Sequence, residues 1–172
     1  KRMIRFNSLI RKLPAVETLG SVTYICTDKT GTLTKNKMYV ENIFINGRLY
    51  ERKDLPEIKD QEEIMLLLQA FALNNDAIES ADTTIRGDST EVALLEVARE
   101  QNVQTGKWPR MAELAFDAER KLMTTFHSHE DKIISFTKGA PDILLLQCKN
   151  ADQPAILKQV DDMAAKGHRV LG

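Results

Sequence analysis

"RMAELAFDAERKLMTTFHSHEDKIISFTKGAPDILLLQC", residues 110–148, decides the architecture. It reads as three short β runs, at 110–118, 121–129 and 132–140, separated by charged residues that suit hairpin connections. A short helix then starts at Pro141, whose fixed φ and missing N–H are tolerated in a first helical turn. Upstream, "QEEIMLLLQAFALN" (61–74) predicts a helix with acids in its first turn and apolar residues nearly all round. "GDSTEVALLEVAREQN" (87–102) predicts another, opened by a Ser or Thr cap. Before them, "MYVENIFI" (38–45) reads as a strand, and "NG" at 46–47 is a hairpin turn leading into "RLYE". "QPAILKQVDDMAAKG" (153–167) is a last amphipathic helix stopped by Gly167, its apolar face reading as core. Hairpins flanked by helices predict an α+β domain, an antiparallel sheet with helices beside it, over about residues 37–170.

The composition fits that picture. With 42% hydrophobic and 28% charged residues, the 172-residue chain is ordinary globular material, long enough to bury a core. A net charge of −1 gives no reason to expect nucleic acid as a partner. Cys26 and Cys148 lie far apart without a C-x-x-C, which indicates neither a disulfide framework nor a zinc site. No apolar run approaches the ~18–20 residues that cross a bilayer. His127 and His129 share a strand face but have no third ligand nearby, and read as a surface pair. Trp108 reads as a loop aromatic on the domain edge.

The first 36 residues are of another kind. "KRMIRFNSLIRKLP" carries five basic residues and no acid, with Met3, Phe6, Ile10 and Leu13 at helical spacing. It reads either as a solvated basic helix or as the cytoplasmic end of a membrane helix. "SVTYICT" (21–27) is apolar on both faces, as a buried strand of a parallel sheet would be, and its strand partners are not in this chain. Asp28 follows at the end of that strand, where ligands and reactive groups gather in open α/β sheets. "DKTG" is either a turn or a nucleophile with its surroundings. A carboxylate can accept a phosphoryl group and hold it as an acyl phosphate. Such a transfer needs charge and close backbone approach, which Lys29, the hydroxyls of Thr30, Thr32 and Thr34, and Gly31 offer.

"CTDKTGTLT" (26–34) resembles the phosphorylation motif of the P-type ATPases, ion pumps that pass through an aspartyl phosphate. "KLPAVETLGSVTYI" before it is similar to the linker from a membrane helix into the phosphorylation domain of type II pumps, which favours the membrane-proximal reading. The resemblance implies catalytic roles for Asp28, Lys29 and Thr30, and Mg²⁺ held at Asp28 and the Thr30 carbonyl. It further implies that residues 1–36 open a parallel α/β phosphorylation domain whose remainder is a partner, and that 37–170 form the nucleotide-binding domain.

The resemblance also implies an ATP site. In "AFDAERKLMTT" the family's matching Phe, here Phe116, stacks on adenine, and the matching Lys, here Lys121, lies near the nucleotide. Family members often carry Arg two residues after that Phe; this chain has Ala118, so a phosphate contact is absent or moved to Arg120. "FTKGAPD" is similar to the family's "KGAP" motif and implies Lys138 deep in the adenosine pocket, with Gly139 allowing close approach. Glu91, in the first turn of its helix, matches the Glu that contacts the adenine amino group. Arg169 and Leu171, in "KGHRVLG", match residues beside the phosphates and the ribose. The whole implies a calcium-pump-like, ion-translocating ATP hydrolase at the cytoplasmic face of a membrane, with the transported cation handled by a membrane domain. Another Mg²⁺-binding Asp and a second Lys come later in the family, so this chain is expected to bind ATP without turning it over. The alternatives are a soluble phosphohydrolase with an inserted cap domain, against which Thr30 speaks because such enzymes place a second Asp there, and a regulatory module in which "DKTGT" is only a turn.

Overall fold

A computed structural model describes residues 14–172, and the chain divides into two units, Lys1–Asn36 and Lys37–Gly172. The basic helix expected over residues 1–13 lies outside the described residues.

In the first unit, α1 (Pro14–Gly20) carries Glu17 in its first turn, where the helix dipole favours an acid. Residues 21–27, predicted as a buried strand, form no ladder among the described residues. They stand exposed, Tyr24 at 87% and Ile25 at 77%. The reason is physical: strand backbone groups need a neighbour to pair with, and no described segment lies alongside. After Asp28 the chain winds a single π-helical turn, Lys29–Leu33, with the Thr34 N–H donating to the Lys29 carbonyl at 3.1 Å. Gly31 takes φ 77° inside it, a conformation that costs glycine nothing.

The second unit is α+β with antiparallel pairing throughout, as the hairpin pattern predicts. Strands β1 (Asn42–Ile45) and β2 (Arg48–Glu51) join through Asn46 and Gly47 at φ 50° and 75°, the left-handed pair that a two-residue hairpin turn requires. Helix α2 (Leu55–Ile58) and helix α3 (Glu62–Leu73) follow, then a minimal hairpin, β3 (Ile78–Glu79) with β4 (Ile85–Arg86). Helix α4 (Ser89–Glu100) packs on α3. Its cap is Asp88, whose carboxylate accepts the Thr90 N–H at 2.8 Å, and not the Ser or Thr predicted. The acid serves better there, because it satisfies an orphan donor and also meets the positive helix end. Ile43, Leu55, Ile64, Leu68 and Val97 form the core between hairpin and helices, each such burial contributing about 1.5–3 kcal/mol.

The meander β5 (Arg110–Asp117), β6 (Leu122–His129) and β7 (Lys132–Gly139) has β6 at its centre. Register pairs Met123 with Lys138 and Thr125 with Phe136, so these side chains share one face. His127 lies on it too. It is 2% exposed, with its ring nitrogens 3.1 Å from the Trp108 carbonyl and 3.0 Å from the Thr125 hydroxyl. His129 stacks on Trp108 at 3.8 Å. The surface pair expected from the sequence is therefore corrected: the Trp108 ring covers His129, while His127 is buried against the Trp108 carbonyl and the Phe136 ring. Helix α5 (Pro141–Leu145) and helix α6 (Gln153–Ala165) complete the unit. No residue of α6 is fully buried, so its apolar face, read as core, is only half-covered.

Candidate functional site

One end of the meander gathers most of the residues singled out above. Asp117 pairs with Leu122 and Leu122 with Gly139, forming a row across the three strands. The row extends by one more segment, because Gly139 and Gly172 exchange N–H···O bonds of 3.0 and 2.9 Å. Phe116, Lys121, Lys138 and Leu171 are each one residue from a member of this row. The fit at Gly139 is tight: a Cβ there would fall on the Lys121 carbonyl oxygen and lie 2.9 Å from Leu122 Cα. That oxygen accepts the Ala140 N–H at 3.1 Å, locking the β5–β6 turn to the end of β7.

Beneath the row, Lys138 Nζ lies 2.6 Å from Glu91 Oε1, both side chains about five-sixths buried at 15% and 16% exposure. The sequence places two whole strands, β5 and β6, between these residues; the fold brings them together. Lys138 also donates to the Asn74 carbonyl, and Glu91 Oε2 accepts the Asp76 N–H at 3.0 Å. A carboxylate offers about four acceptor positions, so Glu91 retains capacity for a further donor. Arg169 reaches the same helix end, its Nη1 donating to the Thr90 hydroxyl at 2.9 Å. The Thr90 N–H chiefly, helped by the charge of Arg169, holds the Asp88 carboxyl below the usual carboxylate range.

Other expectations fare differently. Phe116 is 63% exposed on β5, and Lys121, at φ 55° in the turn, is exposed as well; neither side chain joins the Lys138–Glu91 pair. Arg120 is committed elsewhere: its Nη2 donates to the carbonyls of Leu114, Ala115 and Leu122 at 3.3, 2.8 and 3.0 Å. It holds the turn, which leaves it poorly placed to take over the phosphate contact that Ala118 cannot make. In the first unit, Asp28 and Lys29 are exposed, Asp28 just before the π turn and Lys29 at its start.

Sequence reasoning missed the run Asn74–Asn75–Asp76 at the end of α3. Asn74 Nδ2 donates to the carbonyls of Met123 (3.2 Å) and Phe136 (2.8 Å), and Asn75 Nδ2 to those of Phe71 (3.0 Å) and Glu91 (2.9 Å). Arg110 holds Asp76 Oδ1 at 3.0 Å and Glu113 at 2.6 Å. Two adjacent amides past a helix end are the one signal that marked the run, and the same signal marks ordinary loops.

Comparison with known proteins now bears on this arrangement. Residues 58–172 match the sequence profile of the family described as P-type ATPase, cytoplasmic domain N. The chain belongs to the P-type ATPases. Domain N thus accounts for α3 through α6, including the Lys138–Glu91 pair. The chain is 41% identical, over 99% of its length, to a calcium-transporting ATPase 1 of Bacillus cereus. It is 43% identical over 86% to a protein of that name from Lactococcus lactis, and 39% over 84% to a calcium-transporting ATPase of Bacillus subtilis. It spans only about a fifth of these relatives' length: 21%, 17% and 19%. Among the described residues no helix is long and apolar enough to cross a membrane.

Proposed function

We propose that domain N binds ATP at the open end of the meander, and that Asp28 is the acceptor of its γ-phosphate in a cation-transporting pump of the calcium-pump-like, type II group, working at the cytoplasmic face of a membrane. The observation that carries this reading is the Lys138–Glu91 pair beside Arg169 and Gly139, a cation-and-acceptor set at a sheet end. Glu91 accepts from the adenine amino group, Phe116 supplies the aromatic face, and Lys121, Lys138 and Arg169 offset phosphate charge. Exposed Phe116 suits that role, since an aromatic already packed in the core has no face to offer.

In the transfer, a carboxylate oxygen of Asp28 attacks the γ-phosphorus. The bond to the β,γ-bridging oxygen breaks, and ADP leaves with the electron pair. Lys29 steadies the transferring oxygens. The oxygen donors at hand, the Asp28 carboxylate and the Thr30 main-chain carbonyl, suit Mg²⁺, which binds through one or two carboxylates together with substrate phosphates. Among the described residues no three His, Cys, Asp or Glu side chains gather to hold a metal, so the ion would draw its other ligands from phosphate oxygens, water and the further Asp that the family resemblance implies. Bound there, Mg²⁺ would neutralise charge on the phosphate.

Calorimetric titration of the chain with ATP tests the site. Phe116→Ala is expected to weaken binding by about 1–3 kcal/mol, the worth of a base stacked on an aromatic ring. An unchanged affinity removes Phe116 from the site. With γ-labelled ATP the isolated chain is expected to bind without forming an acid-stable phosphoenzyme; labelled protein would show that Asp28 needs no further segment.

A further inference from the structure

We infer that Asn74 is a positioning residue for nucleotide recognition, setting the Lys138 ammonium against Glu91 from behind. The inference rests on the ATP reading above and assigns a residue outside the set carried over from the family motifs.

Lys138 projects from an edge strand, and Glu91 from the first turn of a helix that belongs to a different layer. Long side chains on separate elements do not hold one geometry unless something fixes both supports. Asn74 fixes the first. It is 1% exposed, and its Nδ2 spends both protons on strand carbonyls, that of Met123 on β6 and that of Phe136 on β7. Met123 is the cross-strand partner of Lys138, and Phe136 lies two residues before it on the same face. The amide therefore clamps the two strands at the rung from which Lys138 departs. The main-chain carbonyl of the same Asn74 accepts from the Lys138 ammonium. Strand position and side-chain direction are thus set by one residue.

Asn75 and Asp76 fix the second support. Asn75 Nδ2 donates to the Glu91 carbonyl at 2.9 Å, and the Asp76 N–H donates to the Glu91 carboxylate at 3.0 Å. Arg110 then ties Asp76 to β5. Three consecutive residues therefore hold both partners of the ion pair, and a shift of this run moves Lys138 and Glu91 relative to each other. Because Glu91 is the group that reads the base, such a shift changes which purine is preferred as well as how tightly it binds.

The test compares ATP and GTP on the full chain by titration calorimetry. Asn74→Ala is expected to raise the ATP Kd roughly tenfold, the cost of loosening a hydrogen bond to a charged group. It is also expected to bring the ratio of GTP to ATP Kd towards one. A merely structural role lowers the melting temperature and leaves that ratio unchanged, because both nucleotides need the same folded state; this result overturns the inference. Should Asn74→Ala not fold, the wild-type chain decides. Its Asn74 side-chain amide signal in ¹⁵N–¹H spectra is expected to move in proportion to ATP occupancy, and a stationary signal overturns the inference. Failure of the underlying reading looks different: the wild type binds no ATP. A wild type that binds, with Glu91→Gln shifting the purine ratio and Asn74→Ala not shifting it, defeats the positioning role alone.

Discussion

Gly139→Ala is expected to destabilise domain N by about 3 kcal/mol and to lower its melting temperature by roughly 10 °C. The added Cβ has nowhere to go. It lands on the Lys121 carbonyl oxygen and lies 2.7 Å from Leu122 Cδ2 and 2.9 Å from Leu122 Cα. Two of these neighbours are backbone, which cannot rotate away as a side chain would. Nor can β7 back off, since its far side is bonded to Gly172 and its next residue donates to the Lys121 oxygen. Relief therefore means breaking the row Asp117–Leu122–Gly139 at the candidate site. Thermal and denaturant unfolding measure the loss, and a melting temperature equal to wild type would show that the close approach is not maintained in solution.

Lys138→Met is expected to cost about 2 kcal/mol, below the roughly 3–5 kcal/mol of a fully buried ion pair, because both side chains retain some solvent contact. The loss comes less from the missing attraction than from Glu91, left desolvated with one of its two partners gone. A double variant, Lys138→Met with Glu91→Leu, separates these causes. Removing both charges removes the stranded one, so the double variant is expected to be more stable than the sum of the single losses. Denaturant unfolding of all four proteins yields the coupling; strict additivity would mean that the 2.6 Å contact contributes no coupling energy. ATP binding, in contrast, is expected to be lost in Lys138→Met and in the double variant alike, because the proposed site uses the cation itself.

What could be read in advance followed from locality. The Asn46–Gly47 turn, the acids opening α3, Pro141 and the three meander runs are short-range signals, and each element formed within a few residues of its expected bounds. Residues 21–27 show the limit: β-branched and aromatic residues state a preference, and a ladder needs a neighbour besides. The π turn at Lys29–Leu33 carries no composition cue, and β3 and β4 are too short to leave a period. At the candidate site, Lys138 and Glu91 were each legible through the family motif, whereas their pairing is a matter of tertiary distance. Asn74 was invisible for a related reason. Its partners lie 49 and 62 residues away, and an amide after a helix looks the same whether it faces water or clamps two strands.

The reciprocal Gly139–Gly172 bonds act as a mechanical linkage. His168 Nδ1 lies 3.2 Å from Glu41 Oε2, so the stretch that ends at Gly172 is fastened to the approach to β1 at one point and to the rim of the sheet at another. Tension along residues 168–172 would be delivered to the peptide beside Lys138. A ligand drawing Lys138 inward would send recoil outward along the same path.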